Sequence, residues 1–185
     1  MQVIWHTAMS MDGRIASRDQ SLGFLDAIGD QEAALAEFPA FLATIDAVVV
    51  GATTMGWLLG EGHGWPHDDH PTWLISHDER LAETVRPTRA ELRRVAGDVS
   101  TALDAIEAAG HKRVWLAGGG SIAAQIIALD RLDEVAVTIA PTALGAAPSL
   151  FDSEALPRRT FRLVECTSIA GNAARLRWIR HRPGA

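Results

Sequence analysis

The sequence is poor in cysteine, in basic charge and in long apolar runs, and each shortage excludes a class of protein. Cys166 is the only cysteine, which excludes an internal disulfide, a cysteine-based zinc finger and an iron–sulfur cluster held by this chain alone. The 17 basic residues stand against 23 acidic ones, for a net charge of -6, so a nucleic-acid backbone is not an expected partner. Neither a basic leader ahead of an apolar stretch nor an apolar run of about 18 residues occurs. We expect a cytoplasmic protein with no nucleic-acid or membrane partner.

The order of predicted elements indicates an α/β fold. The 185 residues, 48% of them hydrophobic, fit one domain over residues 1–185. Short apolar runs and alternating segments predict strands at 3–9, 46–50, 72–75, 113–117, 133–140, 160–166 and 173–181. Apolar spacing of three or four residues predicts helices at 31–45, 51–60, 100–110 and 121–129. The pattern favours three layers around a mostly parallel central sheet with an antiparallel C-terminal edge.

Three details of this prediction depend on single residues. In the helix over 31–45, Leu35, Phe38 and Leu42 are expected to face the core, and Pro39 should kink the helix or open a second short one. Ser100 is the expected N-cap of the third helix. The arginines of the tail alternate with apolar residues, which favours solvated strand faces over a binding patch for these side chains: Arg158, Arg159, Arg162, Arg175, Arg177, Arg180 and Arg182.

Two candidate anion sites follow buried strands. Gly118-Gly119-Gly120 lies between a predicted strand and a helix, where backbone amides without a nearby Cβ can approach a phosphate; a tight structural turn is the alternative. Gly51, Thr53 and Thr54 stand at a second strand-to-helix junction, where simple helix capping is the alternative. Two such sites at the strand ends of one sheet would allow a dinucleotide to lie across them.

Several short segments, in this order along almost the whole chain, carry a family resemblance. They are Ser10-Met11-Asp12-Gly13-Arg14-Ile15-Ala16, Val48-Val49-Val50-Gly51-Ala52-Thr53-Thr54, Trp115-Leu116-Ala117-Gly118-Gly119-Gly120, Leu132-Asp133-Glu134, Ile139-Ala140-Pro141 and Leu144-Gly145. This series resembles the reductase family shared by dihydrofolate reductase and the C-terminal domain of the riboflavin-biosynthesis protein RibD. The resemblance implies the dihydrofolate-reductase-like fold.

The same resemblance implies a hydride-transferring enzyme that uses NADPH, with NADH as the alternative. By position, it implies Ala8, Gly13 and Ile15 near the nicotinamide, and Ser76 and His77 near the adenosine ribose. Gly51, Thr53, Thr54, Gly118, Gly119, Gly120, Ser121 and Ile122 would hold the phosphates. The substrate would be a small heterocyclic or sugar-like molecule, with 5-amino-6-(5-phosphoribosylamino)uracil as one candidate. The alternatives are a pterin or dihydrofolate reductase and a non-catalytic dinucleotide-binding module. A homodimer is expected, since the tail strands would otherwise leave an open edge.

The sequence departs from the family pattern at positions that select ligands. Ala52 stands where many relatives have an arginine that pairs with the 2′-phosphate, although His77 and Arg80 could bring positive charge from the other side. The helical carboxylate of folate-reducing enzymes aligns near Ala34 or Leu35. Riboflavin-pathway reductases usually have an acidic residue where this chain has Ala117, and an Asp-Asp-Pro segment where it has Leu58-Leu59-Gly60.

The remaining candidate residues each have two interpretations. Asp12 could act on cofactor or substrate, or serve as the turn residue before Gly13; the proton donor is left open among Asp12, Glu32 and a bound water. Trp65 could stack on a flat substrate at the pocket edge, or pack in the core. A solvated loop is favoured over a metal site for His63, His67, Asp68, Asp69 and His70, because their spacing lacks a helical register.

Overall fold

The computed structural model describes residues 1–62, 64–67, 69–85, 91–169 and 171–181. Its centre is one mixed β-sheet. Its strands are β1 (Gln2–Ser10), β2 (Ala47–Gly51), β3 (Thr72–Ile75), β4 (Leu92–Val95), β5 (Arg113–Leu116), β6 (Glu134–Ala140), β7 (Phe161–Ile169) and β8 (Ala173–Arg180). Within the described residues the order is β4-β3-β2-β5-β1-β6-β8-β7. The first six strands of that order pair in parallel, whereas β8 runs antiparallel to β6 and to β7. The predicted mostly parallel sheet with an antiparallel C-terminal edge is confirmed.

Helices cover both faces of the sheet. They are a 3₁₀ helix (Gly23–Ile28), α1 (Gln31–Leu35), α2 (Phe38–Leu42), α3 (Ala52–Gly60), α4 (Glu79–Val85), α5 (Val99–Ala108) and α6 (Gly120–Ala128). Apolar residues of α5 and α6 pack on one face of the sheet. Those of α2, α3 and α4 pack on the other face, which completes the three layers. None of the helices in the described ranges is long and apolar enough to cross a membrane.

The continuous apolar run of β2 is explained by its position inside the sheet. Val49 packs with the α5 and α6 layer, and Val48 and Val50 pack with the opposite layer. All five residues of β2 are buried. A strand covered on both faces has no solvent side, so it reads as an unbroken apolar segment. The parallel neighbours β3 and β5 then carry their carboxyl ends to the same edge as β2, which is where the candidate site lies.

The structure confirms one of the two outcomes expected of Pro39 in the predicted helix over 31–45, the opening of a second short helix. Two short helices replace the single one, and Pro39 lies in the first turn of the second, the position where its missing amide hydrogen costs least. The break at residues 36–37 changes the register of the apolar face, so the expectation for Leu35 is wrong: its side chain is 58% exposed, whereas Ala34 is buried. The later N-cap is also corrected, because Asp98 rather than Ser100 accepts the Thr101 amide at the start of α5.

Three elements were not predicted: the 3₁₀ helix, α4 and β4. The edge strand β4 reads Leu-Arg-Arg-Val, and two successive charged residues hide the alternation that identifies a strand. Arg93 and Arg94 are tolerated there because an edge strand has solvent on one side. Arg94 donates to Glu79 at 2.6 Å.

Among the described arginines of the tail, Arg175 is the most buried and does not lie on a solvated face. Arg175 on β8 is only 5% exposed, so the solvated interpretation is wrong for this residue. Its guanidinium pairs with the Glu37 carboxylate at 2.5 Å and donates to the Ala34 carbonyl at 2.6 Å. The pair therefore fastens the junction of α1 and α2 onto the sheet, with a charge-assisted bond and a contact to the C-terminal end of α1.

Candidate functional site

The carboxyl ends of β1, β2 and β5 border a cleft of about 470 Å³. In open α/β sheets this edge is where ligands usually bind. The cleft is lined by His6, Thr7, Ile15, Ala16, Gln20, Leu22, Thr53, Thr54, Trp57, Trp115, Ala117, Gly118, Gly119, Gly120, Ser121, Pro148 and Asp152. It therefore brings together both predicted anion sites and the segment that follows β1.

One part of the cleft is formed by two helix N-termini. Gly51 and Gly119 are the N-cap residues of α3 and α6, and neither helix has a side-chain cap. Their first amides are consequently available to an anion, and the helix dipoles favour negative charge there. A Cβ on Gly51 would lie 2.5 Å from Ile122 Cδ1, which shows how closely the two helix starts approach. Two adjacent phosphates fit this arrangement.

Each residue of the glycine loop is small for a separate reason. Gly118 has φ +114° and faces Thr54, whose Oγ1 would be 2.7 Å from an added Cβ. A Cβ on Gly120 would lie 2.5 Å from the Ser149 carbonyl oxygen and 2.7 Å from that of Leu150. Gly119 has φ +89°, with no atom closer than 3.8 Å to the added Cβ. The loop is thus a cradle that side chains would fill or strain.

Aromatic side chains also line the cleft, namely His6, Trp57 and Trp115. The ring of His6 stacks on Phe41 with a centroid distance of 4.7 Å, and Trp115 Nε1 donates to the His6 carbonyl at 3.2 Å. Trp57 adds a second indole to the lining. These walls suit a flat ring, because aromatic faces stack on one another. Sequence reasoning missed His6, Trp57 and Trp115, although aromatic residues near the carboxyl ends of predicted parallel strands are a usable signal.

His6 is uncharged at neutral pH. Burial lowers the pKa of its imidazole to about 4, and the positive charge of Arg175 acts in the same direction. Both effects disfavour the imidazolium. The cleft therefore presents a neutral imidazole to whatever binds beside it.

Asp12 lies outside the lining of the cleft and is already fully engaged. Its carboxylate accepts from the Ser10 hydroxyl, from the Leu144 amide at 3.0 Å and from the Gly145 amide at 2.7 Å. The Ser10 hydroxyl and then the two amides lower the pKa of Asp12 to about 2. A carboxylate in this state holds no proton at neutral pH, so its geometry suits a structural anion better than a proton donor.

The other predicted site residues fall at different depths around the cleft. Ile15, Thr53, Thr54, Gly118, Gly119, Gly120 and Ser121 line it. Four of the predicted residues are not part of the lining but neighbour residues that are: Ala8, Gly13, Gly51 and Ile122. Ala8 follows Thr7 on β1, and the Gly13 carbonyl accepts from the Leu150 amide, close to Pro148. Ser76 is buried and His77 exposed after β3, one strand farther along the edge, in the direction that the adenosine half of a dinucleotide would take.

Trp65 and Glu32 are separate from the cleft lining. Trp65 is 4% exposed, and its Nε1 donates to Thr72 Oγ1 at 3.0 Å, which is core packing. Glu32 is exposed in the first turn of α1. At Ala34 and Leu35, the positions aligned with the folate-binding carboxylate, the structure offers only the Ala34 carbonyl, which Arg175 occupies.

The loop after α3 packs one histidine among aromatic rings. The His67 ring lies edge-on to Trp115, with centroids 4.7 Å apart, and to Trp65 at 5.2 Å. Burial, and secondarily His70, lower the pKa of His67. His63 and Asp68 lie outside the described residues. Among the described ones, no group of three or more histidine, cysteine or acidic residues could hold a metal ion.

Comparisons with known proteins agree with this fold. A protein from Shewanella sp. PV-4 with a provisional riboflavin-biosynthesis description superposes with a TM-score of 0.87 at 22% identity, covering 98% of this chain and all of the other. A pyrimidine reductase-like protein from Corynebacterium diphtheriae superposes with a TM-score of 0.70 at 18% identity, covering 98% of this chain and 92% of the other.

Two further matches extend the comparison. The deaminase/5-amino-6-(5-phosphoribosylamino)uracil reductase of Thermotoga maritima has a TM-score of 0.71 at 16% identity, covering 97% of this chain and 56% of the larger protein. YwjB, an uncharacterized Bacillus subtilis (strain 168) protein, is 24% identical over 97% of this chain and 98% of its own length. The model of the RibD C-terminal domain matches residues 61–174, more than half of the sequence, and the chain therefore belongs to the RibD C-terminal domain family.

Proposed function

We propose that this protein is an NAD(P)H-dependent reductase that delivers a hydride to a small heterocyclic or sugar-like substrate. One observation supports this above the others. A single cleft combines two uncapped helix N-termini, suited to a pyrophosphate, with the aromatic side chains of His6, Trp57 and Trp115, suited to flat rings. Family membership supports a reductase in general terms.

The residues present fit a dinucleotide. The amides at the starts of α3 and α6, with the hydroxyls of Thr53, Thr54 and Ser121, would hold its phosphates. Ile15 and Thr7 would border the nicotinamide, and Ser76 and His77 the adenosine ribose. When bound, the cofactor supplies a hydride, and a proton must reach the atom that gains the electrons. The chain would contribute position: it would hold the two rings next to each other in one cleft, where an oriented pair reacts far faster than a free one.

The phosphoribosylaminopyrimidine named for the Thermotoga maritima protein is the first substrate to test. The discriminating experiment has two stages: calorimetric titration of NADPH and NADH, followed by oxidation of the bound cofactor with a panel of pterins, quinones, aldehydes and that pyrimidine. We expect a dissociation constant in the micromolar range and turnover of at least one heterocycle. Absence of NADPH and NADH binding would refute the proposal.

The alternative is a dinucleotide-binding module without turnover. One observation favours it: Asp12, a proton-donor candidate of the sequence, lies outside the cleft lining and already accepts from Ser10, Leu144 and Gly145. Tight cofactor binding without oxidation by any member of the panel would select this alternative.

A further inference from the structure

Asp12 joins two segments that are far apart in the sequence. One is the turn after β1, residues 10–16. The other is the segment 141–152 after β6, which we call the strap. The bonds from Leu144 and Gly145 to the Asp12 carboxylate span 132 and 133 residues. Because an ionised carboxylate only accepts hydrogen bonds, the three donors around it are matched to its charged form.

Backbone hydrogen bonds continue the junction on both sides of Asp12. Met11 donates to Thr142 at 2.8 Å, and Ile15 donates to Pro148 at 3.0 Å. In the opposite direction, Leu150 donates to the Gly13 carbonyl at 2.9 Å. The side chain of Arg14 adds a bond to the Ala147 carbonyl at 3.0 Å. The turn and the strap are therefore held edge to edge.

Both joined segments form walls of the cleft. Ile15 and Ala16 line it from the turn, and Pro148 and Asp152 line it from the strap. A shift of the strap relative to the turn would move these walls. Asp12 itself lies behind them, so its influence on a ligand is indirect.

The far end of the strap rests on the glycine loop. The Asp152 amide donates to the Gly120 carbonyl at 3.3 Å, and the carbonyls of Ser149 and Leu150 approach the face of Gly120 that has no side chain. The strap thus crosses from the turn after β1 to the start of α6. It connects the part of the cleft assigned to the nicotinamide with the part assigned to the pyrophosphate.

We propose that Asp12 is a positioning residue that locks the strap onto the turn after β1 and so sets the width of the nicotinamide half of the cleft. This inference rests on the proposed function, since it takes the cleft to be a dinucleotide site. It assigns Asp12 no proton transfer. The group acts through Ile15 and Pro148, which touch the ligand.

The test is Asp12→Asn, measured by ligand binding rather than by turnover. Asparagine keeps the size of the side chain, but it removes the charge, and its single carbonyl oxygen replaces only one of the two carboxylate oxygens that accept from Ser10, Leu144 and Gly145. We expect the NADPH dissociation constant to rise by up to about tenfold, because only part of the energy of the lost charge-assisted contacts reaches the ligand through the shifted walls. The dissociation constant of 2′,5′-ADP, which lacks the nicotinamide, should change by less than about twofold. Amide hydrogen exchange at Leu144 and Gly145 should become faster.

Asp98→Asn is the matched control. Asp98 is an equally engaged carboxylate that accepts from the Thr101 amide and the Ser100 and Thr101 hydroxyls at the start of α5, away from the cleft lining. It should lower stability and leave both dissociation constants unchanged.

Five outcomes would overturn the inference. Unchanged NADPH affinity in Asp12→Asn would do so, as would an equal loss of affinity for NADPH and 2′,5′-ADP. Unchanged affinity together with abolished turnover would identify Asp12 as a catalytic group instead. If the wild type binds 2′,5′-ADP as tightly as NADPH, the nicotinamide adds no affinity; the positioning role is then refuted, whereas the phosphate site is retained. If it binds neither, the proposed function falls, and the inference falls with it.

Discussion

Gly119→Ala is the sharpest perturbation of the glycine loop, because the added methyl group meets neighbouring atoms only at ordinary van der Waals distance. The nearest atom to the new Cβ would be 3.8 Å away, on Ile122, so packing is not disturbed. The cost is backbone strain at φ +89°, about 1–3 kcal/mol for a residue with a side chain. For a chain of this length, each kcal/mol lowers Tm by about 2–4 °C. The variant should therefore still fold.

The same methyl group would project from the residue that caps α6, where the pyrophosphate is expected to meet the backbone amides. Losing one hydrogen bond to a charged group costs about 1.5–3 kcal/mol, which corresponds to about a 10- to 150-fold rise in the dissociation constant. Calorimetric titration of NADPH into the folded variant measures this directly. Gly120→Ala is a poorer probe, because its Cβ would collide with the carbonyls of Ser149 and Leu150 and displace the strap.

Gly110→Ala is the matched control for strain. Gly110 follows α5 with the same φ of +89° and no atom within 4 Å of an added Cβ, and it does not line the cleft. It should lose stability without losing cofactor affinity. The reasoning is refuted if Gly119→Ala folds and binds NADPH as tightly as the parent, or if Gly110→Ala weakens binding to the same degree.

Three further predictions concern pH, cofactor choice and assembly. The low pKa of His6 means that the unfolded chain binds an extra proton between pH 6.5 and about 4, so the free energy of unfolding should be highest above pH 6.5 and fall by up to about 3 kcal/mol as the pH drops. Urea unfolding of His6→Gln should show a weaker dependence of this free energy on pH. With Ala52 in place of an arginine, NADPH should bind only modestly more tightly than NADH, and Ala52→Arg should increase the ratio of the two affinities in a salt-dependent way. The prediction is contradicted if NADH binds at least as tightly as NADPH and the substitution leaves the ratio unchanged. On the edge strand β7, Leu163 is 48% exposed and lies beside the half-buried Trp178 of β8, and we predict that this edge pairs with a second copy in a homodimer. Light scattering at micromolar concentration that detects only a 19.9 kDa species would count against the homodimer.

The fold class and half of the cleft could be predicted from the sequence by itself. The apolar run of β2 and the alternation of apolar residues with arginines in β8 indicate strands, because a strand covered on both faces is apolar throughout and a half-covered one alternates. The glycine run after β5 and Gly51 at the end of β2 mark the two helix starts that face the cleft, since a strand-to-helix turn needs small residues and leaves amides uncovered. All of these signals are local, which is why they survive in a single sequence.

Other features were decided only by tertiary contacts. Leu35 has the right spacing for a core position and is exposed, because the helix breaks before Pro39. Arg175 looks like a solvated strand residue and is buried, because Glu37 and the Ala34 carbonyl, more than 130 residues away, meet its guanidinium.

The role of Asp12 shows the same division. Its position before Gly13 identifies a turn, and it leaves open whether the carboxylate is a reacting group or a structural one. That choice depends on two amides from Leu144 and Gly145, which the chain brings back only after β6. The local sequence determines which groups can donate or accept hydrogen bonds and where the backbone can turn. The three-dimensional fold determines which distant partner satisfies each group, because burial and hydrogen bonding depend on contacts that no local pattern contains.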